Sequence, residues 1–210
     1  MNTATAIASG LHAVPNHRPR ITNARPSAQP ELAEAAAAEL LQALGLDLCD
    51  ESLAETPRRM AHALIEMTTP REFEFTTFPN TEAYDELVLV QDIPFQSLCE
   101  HHMLPFVGKA HVGYLPGERI LGLSKFARMM ELHSRQPQTQ ERMTKQIADH
   151  LDTLLQPRGV GVVIEAEHTC MSLRGARANG ALTTTSTLLG QLREDQGSRA
   201  EFMSLTRSNK

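Results

Sequence analysis

The order of hydrophobic periodicities along the chain constrains the fold more than any other feature of the sequence. Helix-like spacing comes first, and two pairs of strand-like segments with period-two alternation follow, separated by two further helical stretches. The four predicted strands are DELVLVQDI, GKAHVGYLPG, GVGVVIEAEHTC and ALTTTSTLLGQL. Because strands and helices do not alternate one by one, this order favours an α+β fold with largely antiparallel pairing over a parallel sheet.

The segment before the first strand is predicted to be helical. Pro30 suits the first turn of a helix, and Gly45 suits a C-terminal stop. A second helix is predicted to start at Thr56-Pro57, a capping hydroxyl followed by proline. Its apolar side is formed by Met60, Leu64 and Met67.

Three parts of the chain are predicted from these patterns. Residues 1–29 lack periodicity and favour a disordered tail, residues 30–82 form a helical region, and residues 83–210 form the α+β domain. Within the last part, helices are predicted to begin at Ser124 and at Pro137. A capping box over residues 198–201 predicts the start of a short C-terminal helix.

Charge and cysteine content narrow the possible partners and the compartment. The formal net charge of -5 gives no global attraction for nucleic acid or for an anionic membrane surface. Three cysteines are too few for a secreted disulfide framework, and free thiols favour a reducing cytoplasm. There is no apolar run near 18 residues, so no transmembrane helix is expected.

Two short clusters combine thiols with imidazoles. Cys99 and His102 are spaced so that a turn can bring both onto one ion, and His101 lies between them. His168 and Cys170 follow a predicted strand, and they share one side of it if the extended conformation persists. Thiolate and imidazole are the ligands that zinc prefers, and a catalytic zinc keeps three of them with one open position.

Two simpler explanations of the clusters remain open at this point. A buried thiol can lie near histidines by chance, since free cysteine is among the most buried residue types. The second explanation is a structural zinc with four protein ligands, which would use both cysteines and two of the three histidines. Cys49 has no histidine nearby and is interpreted as a core or boundary residue.

Basic residues lie between the two clusters in the sequence. Lys125 and Arg128 are three apart in the helix opened by Ser124, and Arg174 follows Cys170. A helix N-terminus favours phosphate, so these residues are candidates for an anionic ligand, although a solvated helix face is the better explanation unless a metal site lies nearby. Gln140-Glu141 begins the next helix, and its carboxylate can recognise two adjacent N–H donors of a flat base.

The motifs CEHH, GLSK, QERMT and HTCM-x-x-RG, together with ETPRRMAHA and TTTSTLLG, closely resemble the zinc-dependent type of the GTP cyclohydrolase I family. The resemblance covers residues 30–207. It implies the tunnelling fold (T-fold), an antiparallel sheet with helices on one face, in which sheets from several subunits close into a barrel. It also implies a homodecamer of two stacked pentamers with active sites at subunit interfaces. The implied reaction converts GTP and water into 7,8-dihydroneopterin triphosphate and formate.

The resemblance also implies roles for individual residues. The implied catalytic acid–base pair is His101 and His168. The implied zinc (Zn2+) ligands are Cys99, His102 and Cys170. The implied substrate-binding residues are Gln140 and Glu141 for the guanine ring, and Ser124, Lys125, Arg128 and Arg174 for ribose and triphosphate, with Arg59 as a weaker candidate. One departure is visible, because Gln136 stands where relatives commonly carry a basic residue.

Other enzymes of the tunnelling fold, such as a nitrile reductase or a pterin synthase, are alternatives to a cyclohydrolase. A nitrile reductase uses a catalytic cysteine without a zinc ligand set, so metal content separates it from a cyclohydrolase. A relative that feeds deazapurine or secondary metabolism would carry out the same first reaction. A regulator that binds GTP without catalysis is disfavoured by the presence of all three ligands, both additional histidines and Glu141.

Overall fold

The computed structural model describes residues 18–21 and 27–207. Most of the predicted tail, residues 1–17 and 22–26, therefore lies outside the described residues. Of the remainder, Arg20–Ile21 forms a two-residue strand that pairs with Phe73–Glu74. A strand of two residues is too short to show period-two alternation, so the sequence predicted no strand there.

The described residues form helices and strands with the following bounds. The helices are α1 (Pro30–Ala43), α2 (Thr56–Thr68), α3 (Ser124–Ser134), α4 (Gln140–Leu155), α5 (Thr169–Ser172), α6 (Gln191–Glu194) and α7 (Gln196–Thr206). The strands are β1 (Arg20–Ile21), β2 (Phe73–Glu74), β3 (Thr77–Pro79), β4 (Val88–Cys99), β5 (Pro105–Leu115), β6 (Arg119–Leu121), β7 (Pro137–Gln138), β8 (Gly159–His168) and β9 (Leu182–Gly190). None of these helices is both long and apolar enough to cross a bilayer.

The main sheet has five strands in the order β7-β4-β5-β8-β9. Each of the four long strands pairs with its neighbour antiparallel, and only the short β7 is parallel to β4. The α+β class and the antiparallel pairing predicted from the sequence are therefore confirmed. The four predicted strands correspond to β4, β5, β8 and β9.

The core lies between one face of this sheet and helices α3 and α4. Alternate residues of β8, such as Val162 and Ile164, point into it and meet Met143 and Ile147 of α4. The predicted packing of helices on one face is confirmed for α3 and α4. In addition, α7 packs on the opposite face, where the Phe202 ring lies so close to Gly161 that an added Cβ would be 2.6 Å from it.

Two predicted helix starts are corrected by the structure. Helix α4 begins at Gln140 and not at Pro137, because Pro137 and Gln138 pair with β4 and the Thr139 hydroxyl accepts the capping hydrogen bond from Arg142. The C-terminal helix is capped by a different residue from the one predicted. The Asp195 carboxylate, in the residue before α7, accepts hydrogen bonds from the backbone N–H and the hydroxyl of Ser198.

The cap of α2 also differs from the prediction, while the helix itself is where it was expected. The residue before it is Glu55, and no side chain caps its first turn. Proline at the start of the helix supplies the favourable backbone angle without a capping hydroxyl.

Candidate metal centre and active site

The first half of the site is the hairpin between β4 and β5. The backbone N–H groups of His102 and Met103 both donate to the Cys99 carbonyl, and the Cys99 N–H donates to Leu104. Met103 has a positive φ of 53°, which lets the chain reverse sharply. This tight turn brings His102 back toward Cys99, with 3.7 Å between the Cys99 Sγ and the His102 Nδ1.

The second half lies at the end of β8, which is two strands away from β4 in the sheet. The extended conformation does not persist beyond His168, because Thr169 begins the single-turn helix α5. The Thr169 hydroxyl donates to the Pro105 carbonyl at 2.5 Å and ties this helix to the start of β5. Cys170 is thereby held beside the first half of the site by a turn, and not by the strand that the sequence predicted.

The ligand atoms of Cys99, His102 and Cys170 all lie within 4.8 Å of one another. Tetrahedral zinc with bonds of about 2.3 Å to sulfur and about 2.1 Å to nitrogen places two such ligands about 3.6 Å apart. The 3.7 Å between Cys99 and His102 agrees with that value. Two thiols and one imidazole with a fourth direction left open are the donor set of a catalytic zinc, so these residues fit the metal.

Burial and the neighbouring thiol shape the chemistry of the ligands. Burial, followed by the nearby Cys99, raises the pKa of the Cys170 thiol, and the Arg174 charge acts in the opposite direction. Two thiols close together resist ionising at the same time, because like charges repel. A divalent cation between them removes this cost, since metal ligation requires the thiolate.

Both histidines of the hairpin approach Cys99, with the His101 Nδ1 3.8 Å and the His102 Nδ1 3.7 Å from its Sγ. The ring planes of His101 and His102 make an angle of 84°, with centroids 6.2 Å apart. Of the two, only His102 belongs to the group of three mutually close ligand atoms found among the described residues. His101 is exposed and lines the adjacent cavity, so it is free for another role.

His168 lines the same cavity and is held on two sides. Its ring is stacked on Phe106, with centroids 4.5 Å apart and planes within 5°. Its Nε2 lies 2.8 Å from the Gln140 Oε1, within hydrogen-bond distance. Burial lowers the pKa of His168, and the Glu141 carboxylate opposes this effect.

The N-terminus of α4 forms one wall of the cavity. The cavity measures about 210 Å³. It is lined by the three candidate metal ligands, by His101 and His168, and by the first residues of α4. Glu141 is exposed in the first turn, where the helix dipole favours a carboxylate. Small-molecule sites usually measure about 300–1,000 Å³, so this cavity is smaller than a site for a whole nucleoside triphosphate.

Glu100 and Arg142 are linked in a way that the sequence did not reveal. Arg142 donates to the Glu100 carboxylate at 2.5 Å, to the Gln138 side chain at 2.8 Å and to the Pro137 carbonyl at 3.0 Å. The other Glu100 oxygen lies 3.8 Å from the His101 Nε2. Arg142 lies in the first turn of α4, where the helix dipole disfavours a positive charge. A basic residue at such a position is the sequence signal that could have indicated an acidic partner.

The predicted phosphate-binding residues of α3 lie in the first half of the helix, away from the site. Strand β5 starts beside the site and runs away from it, and α3 begins only after the far end of β5. The C-terminus of α3 returns to the site, where the Ser134 carbonyl accepts a hydrogen bond of 2.6 Å from Ser97. Ten residues of helix separate Ser124 from Ser134, which corresponds to about 15 Å.

The cavity lining consequently does not include Ser124, Lys125 or Arg128. Arg128 instead forms an ion pair with Glu131 on the same helix, at 3.2 Å. Arg59 is exposed on α2 and is also outside the lining. Among the predicted phosphate-binding residues, only Arg174 lies close enough to influence a metal-site thiol.

Comparison with known proteins places this geometry in a family. The family model for GTP cyclohydrolase I matches residues 33–207. The chain belongs to the GTP cyclohydrolase I family. The protein named GTP cyclohydrolase 1 from Mycolicibacterium vanbaalenii is 52% identical over 197 residues, covering 90% of this chain and 96% of that protein. The protein of the same name from Hydrogenobaculum sp. is 47% identical over 167 residues, covering 80% and 92%.

Membership in the GTP cyclohydrolase I family agrees with the antiparallel sheet and the helices that cover it, so the predicted T-fold is the fold of this chain. A crystal structure of an archaeosine synthase, QueF-like, in the apo form matches with a TM-score of 0.42 and 15% identity, covering 50% of this chain and 93% of that chain. That similarity is too weak to support an argument.

Proposed function

We propose that this protein is a zinc-dependent GTP cyclohydrolase I, which converts GTP and water into 7,8-dihydroneopterin triphosphate and formate. The observation that carries the proposal is the three-ligand cluster of Cys99, His102 and Cys170 beside a cavity that contains two further histidines. Close relatives that carry the name GTP cyclohydrolase 1 support the same reaction.

The reaction needs water to attack C8 of a purine, which is a poor electrophile at neutral pH. When bound, the metal supplies the Lewis acidity that makes water nucleophilic near pH 7. The three ligands would hold it beside the cavity that His101 and His168 also line. A four-ligand structural zinc is disfavoured, since neither His101 nor His168 belongs to the group of mutually close ligand atoms among the described residues.

Proton transfer is assigned to His101 and His168. An imidazole has a pKa near the operating pH, so it can both donate and accept protons at the ring nitrogens that flank C8. Burial lowers the pKa of His168, which keeps that ring neutral and able to accept a proton near pH 7. Later proton transfers at the sugar, during the rearrangement and ring closure, need the same two groups.

Recognition of the base is assigned to the start of α4. The Glu141 carboxylate can accept hydrogen bonds from two adjacent N–H groups of guanine, and no other common base offers that pair. Gln140 was predicted to share this role from its position beside Glu141. Its amide, however, is buried and bonded within the protein, so the proposal for base recognition now rests on Glu141.

The triphosphate is proposed to bind residues of two chains. Arg174 belongs to the chain that supplies the metal cluster, whereas Ser124 and Lys125 lie at the opposite end of α3 and Arg128 lies near its middle. We assign these three residues, with Arg59, to the site of a neighbouring subunit. The small volume of the cavity in one chain supports such a shared site, and so does a ring-shaped assembly such as the predicted decamer.

The product would serve tetrahydrofolate or other pterin biosynthesis in the cytoplasm. Free cysteines as metal ligands suit that reducing compartment, because oxidation would remove the thiolates from the metal. No basic surface for nucleic acid is required, since the substrate is a single nucleotide.

The test is turnover of GTP by the purified, zinc-loaded protein. The expected result is a pterin that becomes fluorescent after oxidation, together with one formate for each GTP consumed. Metal analysis on the same sample should give one zinc for each chain. Absence of both pterin and formate from a metal-replete, assembled protein would reject the proposed reaction.

A further inference from the structure

The Gln140 side chain is buried and fully bonded inside one chain. It is 1% exposed. Its Nε2 lies 3.0 Å from the Ile164 carbonyl, 2.9 Å from the Thr183 carbonyl and 3.2 Å from the Thr185 hydroxyl. Both hydrogens of the amide nitrogen are therefore used within the protein, and this nitrogen has none left for a ligand.

The surroundings fix which way round the amide lies. A backbone carbonyl can only accept hydrogen bonds, so the two carbonyls beside the amide must face its nitrogen and not its oxygen. The opposite orientation would place three oxygens in contact in a buried site, at a cost of several hydrogen bonds. The Gln140 Oε1 consequently faces His168.

This orientation determines the tautomer of His168. Oε1 only accepts, so the His168 Nε2 at 2.8 Å must carry a hydrogen. In the neutral ring, Nδ1 is then the nitrogen with a free electron pair. The parallel stack on Phe106 restrains the plane of the ring as well, so that both its tautomer and its orientation are set before any ligand arrives.

We propose that Gln140 is a positioning residue, whose amide holds His168 as the Nε2–H tautomer and so leaves Nδ1 as the proton acceptor of the active site. The inference builds on the proposed function, because it assigns the step to a particular atom of His168. It also separates the roles of two adjacent residues: Glu141 contacts the base, and Gln140 acts through His168.

The first experiment compares steady-state kinetics of Gln140→Leu with those of the wild type. A positioning role predicts that kcat falls at least about 10-fold while KM for GTP stays within about 2-fold, since acid–base catalysis contributes about 100-fold or more. Loss of a base contact would instead raise KM and spare kcat, and that result would overturn the proposal. Gln42→Leu, the same change at an exposed glutamine of α1, is the control and should retain wild-type kinetics.

The second experiment reads the tautomer directly. Nitrogen-15 NMR of zinc-loaded protein with labelled histidine distinguishes a protonated Nε2 from a protonated Nδ1, and the His168→Asn variant assigns the signal. We expect the Nε2–H form in the wild type and a mixture of tautomers in Gln140→Leu. A wild-type His168 protonated on Nδ1 overturns the proposal, even where Gln140→Leu fails to assemble. Wild-type protein without GTP turnover would reject the proposed function alone, because these spectra still decide the tautomer.

Discussion

The thiols of Cys99 and Cys170 lie within 4.8 Å of each other, although β4 and β8, which lead to them, are not neighbours in the sheet. Strand β5 lies between them and is antiparallel to both, so β4 and β8 end on the same side of the molecule. The hairpin after β4 and the turn of α5 after β8 then close over the start of β5. The metal cluster is therefore a product of the sheet order.

The first prediction concerns the metal. Replacing the sulfur of Cys170 by oxygen, in Cys170→Ser, should lower zinc content from one ion to well below one for each chain, because two ligands hold zinc far more weakly than three. Pterin formation should be lost with the metal. Cys49→Ser is the control, since this thiol is exposed and outside the cluster. Full zinc content in Cys170→Ser would contradict the ligand assignment.

The second prediction tests whether one site is shared by two chains. His168→Asn and Lys125→Ala should each be inactive alone. Co-expression should restore about one quarter of the wild-type activity. Each site takes one part from each of two chains, and in a random mixture both parts are intact in about one site of four. His168→Asn mixed with Cys170→Ser should regain nothing, as both changes damage the same half. Equal activity in the two mixtures would show that the site belongs to a single chain.

The third prediction concerns the carboxylate beside His101. Glu100→Gln removes the charge that faces Arg142 and the His101 ring. We expect kcat to fall about 10-fold, a fraction of the full contribution of a catalytic base, because His101 loses its fixed neighbour. Zinc content and the melting temperature should remain close to the wild type. Glu66→Gln, at an exposed ion pair on α2, is the control, and an unchanged kcat in Glu100→Gln would contradict the role.

The fourth prediction concerns stability at low pH. The His133 Nε2 in α3 lies 3.0 Å from the His150 Nδ1 in α4, and burial, together with the neighbouring His150, lowers the pKa of His133 to about 4. The unfolded chain binds a proton near pH 6.5, whereas the folded chain does not, so stability is lost as the pH falls from about 6.5 to about 4. The full loss amounts to about 3 kcal/mol.

The measurement for this fourth prediction is urea unfolding at pH 7.5 and at pH 5. The free energy of unfolding should fall less between the two values in His133→Gln than in the wild type, since glutamine binds no proton there. Zinc binding also depends on pH, because metal ligands must be deprotonated, and comparing the two proteins at equal zinc content removes this contribution. An equal fall in the free energy of unfolding in both proteins would show that His133 does not cause the acid sensitivity.

The sequence predicts the long elements well, because a long segment carries enough residues to show its hydrophobic pattern, as in the alternating burial of β9. It predicts the short ones poorly. Pro137 was expected to start a helix, yet it pairs with Leu98 in a two-residue strand whose partner is distant in the sequence. Helix starts also depend on which nearby side chain reaches the free N–H groups. In α7 the cap is Asp195 and not the predicted Ser198.

The candidate site was predicted in its residue types but not in its arrangement. Spacing indicated two thiol–imidazole pairs, the resemblance selected Cys99, His102 and Cys170 from them, and the structure brings these three together. Spacing cannot give the direction of a helix, so it did not show that Lys125 lies at the far end of α3. Nor can it show the bonds of a buried amide, which is why Gln140 was assigned to the base and not to His168.

The direction of α3 has a consequence for how activity responds to concentration. A chain whose two ends serve different sites has no complete site of its own. If the proposed ring forms, dilution below the point at which it dissociates would abolish turnover, although each separated chain would keep its own three ligand residues. Catalysis would belong to the closed ring, and the strength of contacts between subunits would set the lowest protein concentration at which the reaction runs.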